Sequence, residues 1–170
     1  MKKLLTLLLA IAPVFALADD LSTTIQREAT KCAKALLSAD FNGVVTYTHK
    51  RVIDGMGGKE AMVATLKRGL KEMRTRGISF EDATVGEPVK PQQIEGWLVT
   101  LIPQRLLMKV PGGHLEQDSH LLGISEDEGK KWVFVDVGPL SQAQFAQAFP
   151  ELAEKIKLPA KKPPVFKKGA

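Results

Sequence analysis

The sequence predicts an α+β domain, with helices first and an antiparallel sheet after them. Apolar residues recur at helical spacing over residues 21–38 and 59–74, and from Ile78 onward they fall in short runs bounded by Pro and Gly. With 170 residues, 44% apolar and 25% charged, the chain has the size and balance of one globular domain. Disordered, collagen-like and multi-span membrane classes are excluded on that ground.

Taken in order, Met1-Lys2-Lys3 is a short basic stretch, residues 4–15 are apolar, and Ala16-Leu17-Ala18 is a small-x-small site. That is the layout of a secretory leader. Its twelve apolar residues fall short of the roughly 20 needed to span a bilayer. No Cys follows the run, so no lipid attachment is expected. We read residues 1–18 as a signal peptide cleaved after Ala18, and the mature chain as secreted and periplasmic, with no transmembrane segment.

Residues 21–38 read as a helix, because Ile25, Ala29, Cys32, Ala33 and Leu36 form one apolar stripe. The stripe places Cys32, the sole cysteine, in the core as a small hydrophobe, and one cysteine makes no internal disulfide. Residues 40–48 stay open between two readings. Asn42-Gly43 followed by Val44-Val45-Thr46-Tyr47-Thr48 suits a turn and a strand, whereas Phe41, Val44, Val45 and Thr48 have the spacing of a short helix. Residues 55–58 are a loop, and residues 59–74 a helix with Met62, Leu66, Leu70 and Met73 in one stripe, stopped by Gly77.

The first strand is expected over residues 78–85. A second, over 94–102, is apolar on both faces; Pro103 interrupts it, and 105–110 resumes. Pro111-Gly112-Gly113 turns the chain into 114–125, and Glu126-Asp127-Glu128-Gly129 turns it into 131–137, giving an antiparallel meander. A short helix over 141–149 follows, with Ser141 as N-cap. Residues 19–158 thus make a single domain, and residues 159–170 a basic, Pro-rich tail expected to be mobile.

The net charge of +5 comes from the ends of the chain. Lys2 and Lys3 belong to the leader, and Lys161, Lys162, Lys167 and Lys168 to the tail; without these six the body carries −1. A near-neutral body with 6% aromatics lacks the basic, aromatic-studded face of a nucleic-acid binder, so no nucleic-acid partner is expected.

The order of elements, with Asp40-Phe41 and Tyr47-Thr48-His49 after the first helix, Gly57-Gly58 opening the next, and Gly129-Lys130-Lys131-Trp132-Val133-Phe134 in the sheet, resembles the NTF2-like (SnoaL-like) superfamily, and within it the secreted bacterial branch. The resemblance spans about residues 20–150. It implies a conical α+β fold, a helical 40–48 segment, and a pocket between helices and curled sheet. Members include isomerases, dehydratases and cyclases, plain ligand binders and dimeric modules, so the fold by itself assigns no reaction. No single enzyme family's catalytic set matches residue by residue.

Three residues are candidates for acid–base chemistry. His49 titrates near working pH and has Tyr47 close by, while Asp136 shares strand parity with Trp132 and Phe134, where burial would raise a carboxyl pKa. The alternative is that His49 caps the second helix, Tyr47 fills the core and Asp136 ends a strand. Met62, Leu66, Trp97, Met108, His120, Trp132 and Phe134 are the expected lining of a ligand pocket. His114, Glu116, Asp118 and His120 lie on one strand face with neighbours about 7 Å apart, so that adjacent pairs could chelate but all four could not hold one ion without a bulge, and a polar outer face is the reading adopted. No cofactor motif and no metal site is identified. The sequence therefore points to a pocket for a small apolar or amphipathic molecule. A His- or Asp-dependent enzyme and a homodimeric interaction module are the alternatives; the last requires Trp97, Met108, Trp132 and Phe134 to fill the pocket.

Overall fold

The computed structural model describes residues 15–169, with side chains from Leu21 onward. The leader expected over residues 1–18 lies outside the described residues, except that the backbone of the first helix, α1 (Phe15–Leu37), begins at Phe15. Helices pack on a strongly curled antiparallel sheet that forms a half-barrel, so the chain is α+β.

Along α1, Ile25, Ala29 and Ala33 of the predicted stripe are buried. Cys32 sits half-buried beside them, and burial, with Asp136 nearby, pushes its thiol up to about 11. The 40–48 segment is helical, as the resemblance implies: α2 spans Phe41–Tyr47. Its helical form rests on two features. Asp40 caps it by accepting from the Gly43 N–H at 3.0 Å, and Val44 and Val45 bury against Ala35, Ile53 and Met62.

A helix not anticipated from the sequence follows, α3 (Lys50–Gly55). Next comes α4 (Lys59–Thr75), which ends in a Schellman turn: Ile78 N–H reaches Met73 O, Gly77 N–H reaches Arg74 O, and Gly77 takes φ 72°.

The sheet has six strands, β1 (Ser79–Val85), β2 (Gln92–Ile94), β3 (Trp97–Val110), β4 (Gly113–Ser125), β5 (Val133–Asp136) and β6 (Val165–Lys168). Its order is β1-β3-β4-β5, with β2 also on β3 and β6 also on β4, and every pairing is antiparallel. Two expectations are corrected here. Ile94 does not begin the long strand, because Glu95 and Gly96, both at positive φ, form a hairpin turn between β2 and β3. Nor does Pro103 interrupt β3. Its carbonyl accepts from Gly86 N–H at 2.8 Å, on the side where β3 changes partner from β1 to β2. The missing proline N–H falls on that same side, where β1 ends, so the β3–β4 ladder on the other side runs through Pro103 unbroken.

Both sheet faces are covered. On one, Ile102, Leu121, Trp132 and Phe134 pack with Ile25 and Ala29 of α1. On the other, Val99, Leu122, Ile124 and Val135 pack against Phe145 of α5 (Gln142–Ala148), Phe149, and Leu152 of α6 (Pro150–Ala153). Ser141 caps α5 as predicted, in a reciprocal box with Gln144.

The tail also departs from expectation. Rather than hanging free, residues 165–168 pair with Gly113–Glu116 of β4, and Lys162 and Lys167 bond to Asp118 and Glu116. Alternating carboxylates on β4 supply the anchor that a composition-based reading of the tail overlooks.

Candidate functional site

The segment between α2 and α3 runs alongside the start of β5. Thr48 forms a bridge with Phe134, and the His49 N–H donates to Phe134 O at 3.3 Å. This carries His49 into the interior, where it is 2% exposed. Its ring lies 5.1 Å from Phe149, edge-on, and 5.7 Å from Trp97. Nδ1 accepts from the Arg51 N–H at 3.2 Å and so caps α3, not the second helix as the alternative reading had it.

With Nδ1 an acceptor, the neutral ring carries its proton on Nε2. That atom is buried and makes no aligned hydrogen bond. Glu126 Oε1 stands 3.3 Å away, at ion-pair distance, on a side chain 57% exposed. Burial holds the imidazole below the usual histidine range, while Glu126 pulls the other way.

Arg51 locks the wall behind His49. Its guanidinium stacks over Trp97 and Phe149, pairs with Glu151 at 2.6 Å, and donates to Ala148 O. The ion pair holds the Glu151 carboxyl below the usual range.

In front of His49 is a cleft of about 580 Å³, between α2, α3, the start of α4 and the β4–β5 turn. Its apolar wall includes Val45, Ile53, Ile124 and Val133, and its polar groups include Thr46, Thr48 and Lys50. Lys59 and Lys131 also line it, as do Glu126 and Asp127. A neighbouring hollow of about 560 Å³ shares Val45, Thr46 and Lys59. Asp127 is occupied within the turn, accepting from Ser125 Oγ and the Lys131 N–H, both at 2.8 Å. Lys50 is paired with Asp54. Lys59 and Lys131 have no ion-pair partner among the described residues.

Of the residues predicted for a site, His49 alone lines this cleft. Tyr47 stacks on Phe134, 6.5 Å between centroids, in the core. Trp132 and Phe134 are buried core residues that fill the space where the sequence reading put a pocket. Met62 is buried among Val44, Val45 and Ile53, with Leu66 packed beside them. Trp97 is half-buried behind His49, and Met108 lies on β3 in register with Phe80 and Leu115.

Asp136 is exposed, not enclosed by aromatics. It accepts from Ser119 Oγ at 2.8 Å and from Gly138 N–H. It lines a separate hollow of about 350 Å³ with His120, walled by Pro159 and Lys162 of the tail. Burial, aided by Lys162, holds His120 below the usual histidine range. His49, Tyr47 and Asp136 therefore do not meet in one cavity.

The polar face of β4 is engaged by neighbours: His114 Nε2 lies 3.0 Å from Glu81 Oε2, Glu116 pairs with Lys167, and Asp118 with Arg105 and Lys162. Among the described residues no three His, Cys, Asp or Glu converge as a metal centre requires, and no helix is long and apolar enough to cross a membrane.

Sequence reasoning missed Lys59, Glu126 and Lys131. The Glu126–Gly129 run reads as a charged hairpin turn, which it is, and nothing local shows that the turn faces a histidine 77 positions earlier. Comparison with protein-family models, with curated proteins and with solved structures returns no match.

Proposed function

We propose that this protein is a secreted, periplasmic small-molecule-binding domain of the NTF2-like kind, with the cleft in front of His49 as its binding site. The observation that carries this reading is the buried, unsatisfied Nε2–H of His49 behind an exposed, misaligned Glu126. A buried donor without an acceptor costs about 1–3 kcal/mol. Such a group is retained where something supplies the partner. The cleft volume falls within the range of small-molecule sites, and its lining mixes an apolar wall with a few polar groups, as such sites do. The half-barrel form and the leader-like N-terminal sequence support the family and compartment.

Native mass spectrometry of protein exported with its own leader tests this. The reading predicts retained mass that is lost on denaturation, and amide shifts confined to residues 45–53 and 124–133 when the extracted compound is added back. Retained mass whose shifts map elsewhere would remove the site.

A dimeric interaction module is the second reading, favoured by the burial of Trp132 and Phe134 where a central pocket was expected. Sedimentation equilibrium decides it: a monomer at all concentrations ends that reading.

A further inference from the structure

We propose that the cleft takes a small amphipathic molecule bearing a carboxylate, whose charged end replaces Glu126 opposite His49 Nε2 while its apolar end lies along Val45 and Ile53. The inference rests on the cleft being a binding site and adds the class of ligand.

Three observations lead to it. First, the uncommitted polar groups are mostly donors. His49 Nε2–H is buried without an aligned partner, and the ammonium groups of Lys59 and Lys131 enter no ion pair among the described residues. Second, the carboxylates do not balance them. Asp127 is consumed by Ser125 and the Lys131 N–H, which leaves Glu126 as the one loosely held anion of the lining. Third, Glu126 already puts a carboxylate oxygen 3.3 Å from Nε2, but on a chain 57% exposed and outside hydrogen-bond alignment. It occupies the position an anion would take without making the bond an anion would make.

A ligand carboxylate entering from the cleft is free to align with Nε2–H, and Lys59 and Lys131, which line the same cleft without an ion-pair partner among the described residues, would share its charge. Glu126, on the exposed turn, swings to water at little cost. A cation is the poorer fit, because Glu126 alone would have to hold it against Lys59, Lys131 and a protonated Nε2. The apolar wall of Val45, Ile53, Ile124 and Val133 accounts for an alkyl or aromatic remainder rather than a bare ion.

The test titrates the purified protein with octanoate and, separately, with 1-octanol of the same chain length, followed by calorimetry and by amide and imidazole NMR shifts. Octanoate is expected to bind about ten-fold or more tightly than octanol, the worth of one charge-assisted hydrogen bond. The shifts should centre on Thr48, His49 and Glu126. Glu126→Gln, which removes the competing charge, should tighten octanoate several-fold, and Lys59→Ala with Lys131→Ala should weaken it about ten-fold. Neither variant touches the core, so folding is preserved and is checked by the unchanged NMR spectrum outside the cleft. Equal binding of octanoate and octanol would overturn the anion inference and leave the binding site standing. Weaker octanoate binding in Glu126→Gln would also overturn it. Silence from both probes, together with no retained mass from export, would overturn the site itself.

Discussion

His49 shows how a single ring can hold a wall in place and remain responsive to protons. Its folded pKa is depressed chiefly by burial, with Arg51 acting the same way and Glu126 and Glu151 opposing. The unfolded chain therefore takes up a proton that the folded chain refuses. Stability from the neutral ring is full above the ordinary histidine pKa of about 6.5 and is lost as pH falls below it toward the depressed folded value. His120 is shifted in the same direction, so a variant is needed to separate the two. The thermal midpoint is expected to fall between about pH 7.5 and 5.5, and to fall less in His49→Gln, with His120→Asn as control. An imidazole NMR titration placing His49 at or above the ordinary value would refute the assignment. His49 as a candidate was legible in the sequence; its surroundings were not, because Trp97 and Phe149 come from distant elements and Glu126 from a turn whose own residues explain it.

At the scale of elements, stop and cap signals decide what periodicity leaves open. The stripes of α1 and α4 were readable because they run for several turns, while α2 offered too few residues to outvote a strand reading. The Asp40 cap and the burial of Val44 and Val45 settle it. Replacing Asp40 by Ala should cost about 1 kcal/mol, as lost N-caps do. Replacing Gly77 by Ala forces a side chain into φ 72° and should cost about 1–2 kcal/mol. Urea unfolding of both variants measures these losses, and an unchanged midpoint for Gly77→Ala would mean that the Schellman turn frays. What the sequence hid at this scale has physical causes. Six residues capped by a histidine carry no helical period, so α3 is silent. A proline whose N side faces the end of β1 leaves the β4 side of the strand intact, so β3 runs on through Pro103.

For the whole molecule, the tail matters more than its composition suggests. Strand β6 contributes nothing to the three apolar clusters, and its Val165 and Phe166 remain about half exposed, at 56% and 54%. What it does is cover the edge of β4 from Gly113 to Glu116. Deleting residues 159–170 should thus leave the thermal midpoint nearly unchanged and raise concentration-dependent self-association, because an open strand edge invites another strand. Light scattering during size-exclusion chromatography reads this directly. A large loss of thermal stability would instead make the tail part of the fold's foundation. The cleft was illegible at this scale for a related reason: its lining comes from positions 45–53, 59 and 124–133, which meet where Thr48 bridges to Phe134 and α2 and α3 pack on α4.

The long β3–β4 ladder has a consequence in time. It pairs Leu98 with Ser125 and runs unbroken to Val110 opposite Gly113, closed by Pro111-Gly112. Every other strand attaches to one of these two, β1 and β2 to β3, and β5 and β6 to β4. A hairpin closed by so short a loop forms on the microsecond scale, about 1–10 μs in isolated cases. Once it has formed, each later strand needs only to find an edge already in place. Pro111-Gly112 is no shorter than the Glu95-Gly96 turn between β2 and β3, but it closes the ladder to which every other strand attaches, and the Ile102–Leu121 pair that packs with Ile25 and Ala29 of α1 is complete only when β3 and β4 are joined.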